Sequence, residues 1–260
     1  MVTLMKKSLI GFIILIASSL ASYAQVMNSD FQKLFDLYTM EEYDRCAYKA
    51  EKYSQKDKYR RDPEPYLYMA LCFYQAHVQP EKFDQEFDDP LKDALKYAYK
   101  FRKKDKTGEL YETNRDLLDK IREEALSNAK FYYNDENYRK AASEFGRILK
   151  VIPDDESVLF MTGVANIMAK SAALGEKYVV QALDTLRAQE AGNRFEKDPV
   201  TYDVLIKGFV GYTNYLSEVN RLDEAQEVIA FSRKLIPDDA TLKSQYKKIY
   251  AIGPPEEEED

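Results

Sequence analysis

Chemistry needs nucleophiles, bases or metal ligands at set spacings, and few residues of this chain supply them. There is one histidine, His77. It closes the apolar run YLYMALCFYQAH and stands beside an acidic stretch carrying Asp84, Glu86, Asp88 and Asp89. A single imidazole can serve as a base or as one ligand, but zinc sites draw three or four protein ligands, so no metal is expected. The acidic stretch has the oxygen ligands of a calcium loop without its turn glycine or the closing Glu at the twelfth position. A solvated acidic insertion is the reading that remains. No Gly-rich phosphate loop, G-x-S-x-G elbow or H-E-x-x-H motif occurs, and each of those carries its chemistry through that spacing. The expectation is a non-enzymatic protein with no catalytic residue and no cofactor. With 45 Asp and Glu in the chain, a carboxylate pair cannot be picked out by eye, and a hydrolase of glycan or cell-wall material is the alternative from another class.

Two cysteines remain, Cys46 and Cys72. Both fall among apolar positions of helical runs, so they read either as two buried small hydrophobes or as one disulfide pinning the first two helical hairpins; spacing alone does not fix bridge geometry. The compartment decides whether a bridge can form. Lys6 and Lys7 precede an apolar run over residues 9–20, and Ser22-Tyr23-Ala24 puts small residues at the positions a signal peptidase reads. Residues 1–24 are therefore expected to be a secretory signal cut before Gln25. The run is too short for the ~20 residues that span a bilayer, and no Cys near the cleavage site points to a lipoprotein. A short Lys-Lys leader ending in Ala-Gln resembles those of Gram-negative bacteria, Bacteroidota in particular, and that resemblance implies export to the periplasm.

The charge balance narrows the partners. Of 38 Lys and Arg and 45 Asp and Glu, two bases lie in the leader and five acids in the run from Glu256 to Asp260, leaving 36 against 40 for residues 25–252. A nucleic-acid binder would carry a strong basic excess, so no nucleic acid is expected. The acids after Gly253-Pro254-Pro255, residues 253–260, read as a disordered tail.

The elements that would position any site are helices throughout. Phe31, Leu34, Phe35 and Tyr38 are spaced for one helix, and Tyr43, Cys46, Ala50 and Tyr53 for the next. Asp62-Pro63-Glu64-Pro65 is a helix start. Tyr132, Ala141, Phe145 and Pro153 fall at the offsets of the 34-residue tetratricopeptide unit, which the chain resembles; against that unit 12 residues are extra between Ala76 and Pro90. A single long helix is expected after Gly108. LKVIPDDESVL at residues 149–159 recurs as RKLIPDDATLK at 233–243, with Pro153 and Pro237 84 residues apart. Two 34-residue units account for 68 of these, so 16 are inserted; taking Ala182 as the small residue of the intervening unit puts seven of them after Ala169. The helix from Asp239 to about Tyr250 reads as a cap.

That resemblance rests on residues 122–155. The resemblance implies a right-handed superhelical solenoid of about five irregular helical hairpins plus the capping helix, over residues 25–252. It also implies that the first helix of each hairpin lines a concave groove. Carried over by position, the lining is Phe35 and Tyr38, then Leu71 and Tyr74, then Leu126, Lys130 and Tyr133, then Phe160, Val164 and Ile167, and finally Asn214. Family members that clamp a C-terminal carboxylate carry more Lys, Arg and Asn there than Lys130 and Asn214. An amphipathic helix or extended apolar segment of a protein fits better. The expected function is a protein interaction scaffold or assembly factor of the periplasm; an accessory subunit of an envelope secretion or gliding-motility complex is the alternative. The same groove residues could equally be core of long helices that curl over it.

Overall fold

The computed structural model describes residues 29–83, 87–196 and 198–252. Among them are twelve α-helices and no strand, so the chain is all-α. The expected signal and acidic tail lie outside the described residues. No described helix is long and apolar enough to cross a membrane. The chain forms two compact units, one up to Leu118 and one from Asp119.

The first unit contains α1 (Gln32–Thr39), α2 (Tyr43–Gln55), α3 (Glu64–Val78), α4 (Pro90–Lys104), the short α5 (Glu109–Thr113) and the start of α6 (Arg115–Asn134). Helix α3 is buried on nearly all sides from Glu64 to Cys72, because it packs against α1, α2 and α4; a helix apolar all round must be interior. The long helix expected after Gly108 is interrupted at Asn114, whose side-chain amide donates to Leu110 O at 2.8 Å and so competes with the backbone ladder.

The insertion after Ala76 is residues 79–89, with one 3-10 turn at Pro80–Lys82. Asp89 caps α4 by accepting from Lys92 N at 3.1 Å, and Asp88 and Asp89 are exposed. Asp84 and Glu86 lie outside the described residues, and the two phenylalanines on either side of them are not solvated. Phe83 stacks on Tyr43 at 6.0 Å and meets Phe87 at 5.7 Å; Phe87 then meets Phe73 at 5.1 Å, which stacks on Tyr97. Aromatic pairs of this kind add about 0.5–1.5 kcal/mol each beyond the area they bury, which holds Phe83 and Phe87 to the helices beneath them.

The second unit holds the rest of α6, then α7 (Tyr138–Val151), α8 (Glu156–Met168), α9 (Ala172–Ala191), α10 (Tyr202–Glu218), α11 (Leu222–Leu235) and α12 (Ala240–Ala251). One turn recurs. Glu136, Lys170 and Asn220 have φ between 58° and 66°, and around each the chain makes the same two bonds. Asn137, Ser171 and Arg221 donate N–H to Tyr132, Asn166 and Leu216, while the left-handed residue donates to the carbonyl three before it. This is the Schellman ending of a helix; Glu41 repeats it in the first unit. The shared IPDD segment has a matching role at both sites: Asp155 accepts from Val158 N and Asp239 from Leu242 N, each capping the helix that follows.

The turn at Lys170 lies 34 residues after that at Glu136 and overturns the placement of seven inserted residues after Ala169. The small residues that let α8 and α9 meet are Gly163 and Gly175, not Ala182: a Cβ on Gly163 would lie 2.7 Å from Gly175 O, and one on Gly175 2.5 Å from Gly163 O. The 16 extra residues come later. Against the preceding pair, α9 is six residues longer (20 against 14) and α10 four longer (17 against 13). The connection at residues 192–201 is six longer than that at 152–155.

Candidate functional site

Five of the eleven expected groove residues are interior. Leu71, Leu126, Phe160, Val164 and Ile167 are no more than 4% exposed, while Phe35, Tyr38, Tyr74, Lys130, Tyr133 and Asn214 are half-buried. In the second unit α10 meets both α6 and α8 around Lys130, Tyr133, Phe160 and Val164, while Ile167 lies against Gly175 of α9. Lys130 Nζ pairs with Asp203 at 2.6 Å and Lys207 Nζ donates to Asn134 at 3.0 Å. A Cβ on Gly211 would stand 2.5 Å from Tyr133 Oη and 3.0 Å from Val164 Cγ1, and one on Gly208 2.8 Å from the Phe160 ring. Two glycines one turn apart thus let α10 settle over residues that would otherwise face outward. Burial pushes the Tyr133 phenol well above its ordinary value, as expected of a hydroxyl taken out of water. Asn214 accepts from Gln245 and Lys248 of α12, both at 2.9 Å, and so joins α10 to the last helix.

In the first unit the expected lining stays nearer the surface. Tyr38 accepts from Gln75 Nε2 at 3.2 Å, tying α1 to α3. Phe35 and Tyr74 are half-buried on the same two helices. Met40 and Val78, at their C-terminal ends, are 66% and 41% exposed. Beneath this pair of helices Cys46 and Cys72 are free and fully buried. The Cys46 thiol donates to Leu34 O at 3.4 Å, and burial, with Cys46 alongside, holds the Cys72 thiol well above its usual range.

A polar cleft of about 250 Å³ lies wholly within the second unit. One wall comes from α6 and the start of α8, with Arg122, Ile152, Asp155 and Glu156; the other is built by the inserted stretch, with Leu186, Gln189, Phe195, Asp198 and Tyr202. Arg122 is the hub. Its guanidinium reaches Asp198 at 3.0 Å, Asp119 at 3.4 Å and Asp155 at 3.8 Å, with its own side chain 9% exposed and that of Asp155 7%. Two atoms there have no hydrogen-bond partner, Arg122 Nε and Asp155 Oδ2. Burial raises the Asp155 carboxyl to about 6, against the opposing pull of Val158 N–H and Arg122. Asp239, at the same place in the other IPDD segment, is only half-buried.

Reading the sequence for motifs misses this cleft. One signal points to it: Arg122 breaks an apolar stripe formed by Leu118, Ala125 and Ala129. Among the described residues no group of three or more His, Cys, Asp or Glu is placed to hold a metal ion. Comparison with known proteins gives no match: no family model, curated protein or solved structure is similar to the chain.

Proposed function

We propose that the chain is a non-enzymatic interaction scaffold of the bacterial periplasm, that its hairpins stack within each unit as tetratricopeptide-like repeats, and that it holds an apolar segment of an envelope protein against α1 and α3. The repeat reading is supported by the Schellman turns and by the packing of alternate helices, α1 on α3, α8 on α10 and α10 on α12. The binding reading is carried by one observation, the run of half-buried and exposed apolar side chains Phe35, Tyr38, Tyr74, Met40 and Val78 along α1 and α3. An amphipathic helix laid along such a strip buries its apolar face and leaves its charges in water. The non-enzymatic reading is favoured by Arg122, which pairs with two of the cleft carboxylates, Asp155 and Asp198. A glycosidase pair needs one acid protonated and the other free across an open gap.

The test is a double variant, Phe35→Ser with Tyr74→Ser. Both positions are half-buried, so the fold should survive, while capture of the envelope partner from periplasmic extract should fall at least tenfold. Undiminished capture of the same partner by the folded variant removes this face as the site.

A further inference from the structure

We infer that the surface formed by α2, the α2–α3 connection and α4 docks on an anionic lipid layer, with its lysines against the phosphate headgroups. The residues involved are not those of the α1 and α3 strip, and the inference does not depend on the function proposed for that strip. Charge is the first observation. Residues 48–63 and 90–106 hold 13 Lys and Arg against five Asp and Glu, whereas the remainder of residues 25–252 holds 23 against 35. Such an asymmetry within one chain marks a surface for an anionic partner. One of the five acids, Asp105, is buried and spends its carboxylate on the N–H groups of Gly108 and Tyr111.

The two stretches make one surface. Helices α2 and α4 both pack on α3, Glu51 of α2 lies within electrostatic reach of Lys96 and Tyr97 on α4, and Lys104 Nζ donates to Arg60 O at 2.6 Å. Around Lys104 the cations crowd. Partial burial first, and then Arg60, Lys100, Arg61 and Lys106 together, hold its ammonium below the usual lysine range. Lys58, Arg60 and Lys96 pair with Asp30, Asp57 and Asp93, but among the described residues Arg61, Lys100, Lys103, Lys104 and Lys106 have no ion pair. Cations in the last turn of a helix complement its dipole. That accounts for Arg102, Lys103 and Lys104, not for Arg60, Arg61 and Lys100.

The kinds of side chain select a lipid layer. Ten of the 13 bases are Lys. Arginine forks onto one carboxylate or phosphate of fixed position, whereas mobile point charges suit a layer of phosphates with no fixed positions. Tyrosines stand between the lysines: Lys96 and Lys100 each hold Nζ 4.9 Å from the Tyr97 ring, and Lys103 5.4 Å from that of Tyr99. Such contacts shelter the ring and leave the charge in place, and tyrosine is at home at headgroup level. Tyr48 is the one large apolar side chain exposed among the described residues of this surface. A protein partner would need a central group of apolar anchors; a headgroup layer needs none.

The experiment sediments the full chain with vesicles of phosphatidylcholine alone and with vesicles in which about a third of the lipid is phosphatidylglycerol. At ~0.1 M salt the chain should pellet with the anionic vesicles only, and ~0.5 M salt should release it. Millimolar inorganic phosphate should not displace it, which separates a lipid layer from a site for free phosphate. Arg61→Gln, Lys100→Gln, Lys103→Gln and Lys106→Gln change exposed side chains; each should weaken binding about fivefold, and the four together more than about a hundredfold. Lys120→Gln, Lys150→Gln, Lys177→Gln and Lys247→Gln remove the same charge from exposed positions of the second unit and should together leave vesicle binding within about threefold of the parent. The inference is overturned if the anionic vesicles do not bind the chain, or if the two fourfold variants lose binding equally. It is equally overturned if phosphate displaces the chain, or if a poly-glutamate peptide or single-stranded DNA binds it more tightly than the vesicles do.

Discussion

Replacing Asp155 by Asn should make the protein more stable at neutral pH and leave it unchanged in acid. In the folded chain burial lifts the Asp155 carboxyl to about 6 from an ordinary 3.8. A group whose folded pKa lies above its unfolded value contributes stability that is full below the unfolded pKa, here near pH 4, and that is lost as pH rises through the folded pKa, here near 6. A shift of about two units at 1.36 kcal/mol each is about 3 kcal/mol, the upper bound on what ionising this buried side chain costs. Asparagine caps a helix about as well as aspartate and has no proton to lose, so Asp155→Asn escapes that cost. Arg122 keeps Asp119 and Asp198 as partners in the variant, so no bare guanidinium is left behind. Denaturant unfolding of both proteins between pH 4 and pH 8, read by circular dichroism, gives a difference curve in which titrating groups remote from Asp155 cancel. It should lie near zero at pH 4, rise through pH 6, and reach as much as about 3 kcal/mol in favour of the variant. Asp239→Asn serves as the companion measurement, since it removes a cap carboxylate that the insertion does not cover. A flat difference curve, or a variant that loses ground as pH rises, would show that Arg122 and the helix N-terminus outweigh desolvation at Asp155, and the reasoning would fail.

Three further outcomes follow from the packing. Gly163→Ala or Gly175→Ala places a methyl 2.5–2.7 Å from a carbonyl of the facing helix, so each should lower unfolding free energy by about 1–3 kcal/mol, seen as a lower denaturation midpoint. Lys170→Gly relieves a left-handed residue at φ 66° and should raise it by up to about 1 kcal/mol. The thiols of Cys46 and Cys72, fully buried and free, should resist alkylation in the native protein and react at once after denaturation; rapid native labelling would contradict their placement.

Much of the fold is written in local signals. The Asp155 and Asp239 caps, the start of α3 at Pro63 and Pro65, and the insertion after Ala76 all come from residues whose effect is exerted within one turn of helix. What escaped depended on long-range contact. The place of the 16 extra residues hangs on Gly175, not Ala182: Gly175 stands 12 after Gly163 just as Ala141 stands 12 after Ala129. Glycine inside a helix usually reads as a weakness; here it marks close approach. Gly208 and Gly211 carry the same message for the groove, since they admit α10 over Phe160, Val164 and Tyr133. Phe83 and Phe87 were hidden by the acids around them, whose composition suggests solvent while two rings hold the segment down. The cleft draws on three stretches of chain, around Arg122, residues 152–157 and residues 186–205, and only the packing of their helices brings them together.

If α1 and α3 present the partner-binding face as proposed, site-specific photo-cross-linking in living cells will show it. A photoreactive phenylalanine analogue would be placed in turn at Phe35, Tyr74 and Val78 on that face and at Lys100, an exposed residue of α4. One and the same protein should be joined from all three face positions and not from Lys100. Cross-links from Lys100 to that protein with none from Phe35, Tyr74 or Val78 would contradict it.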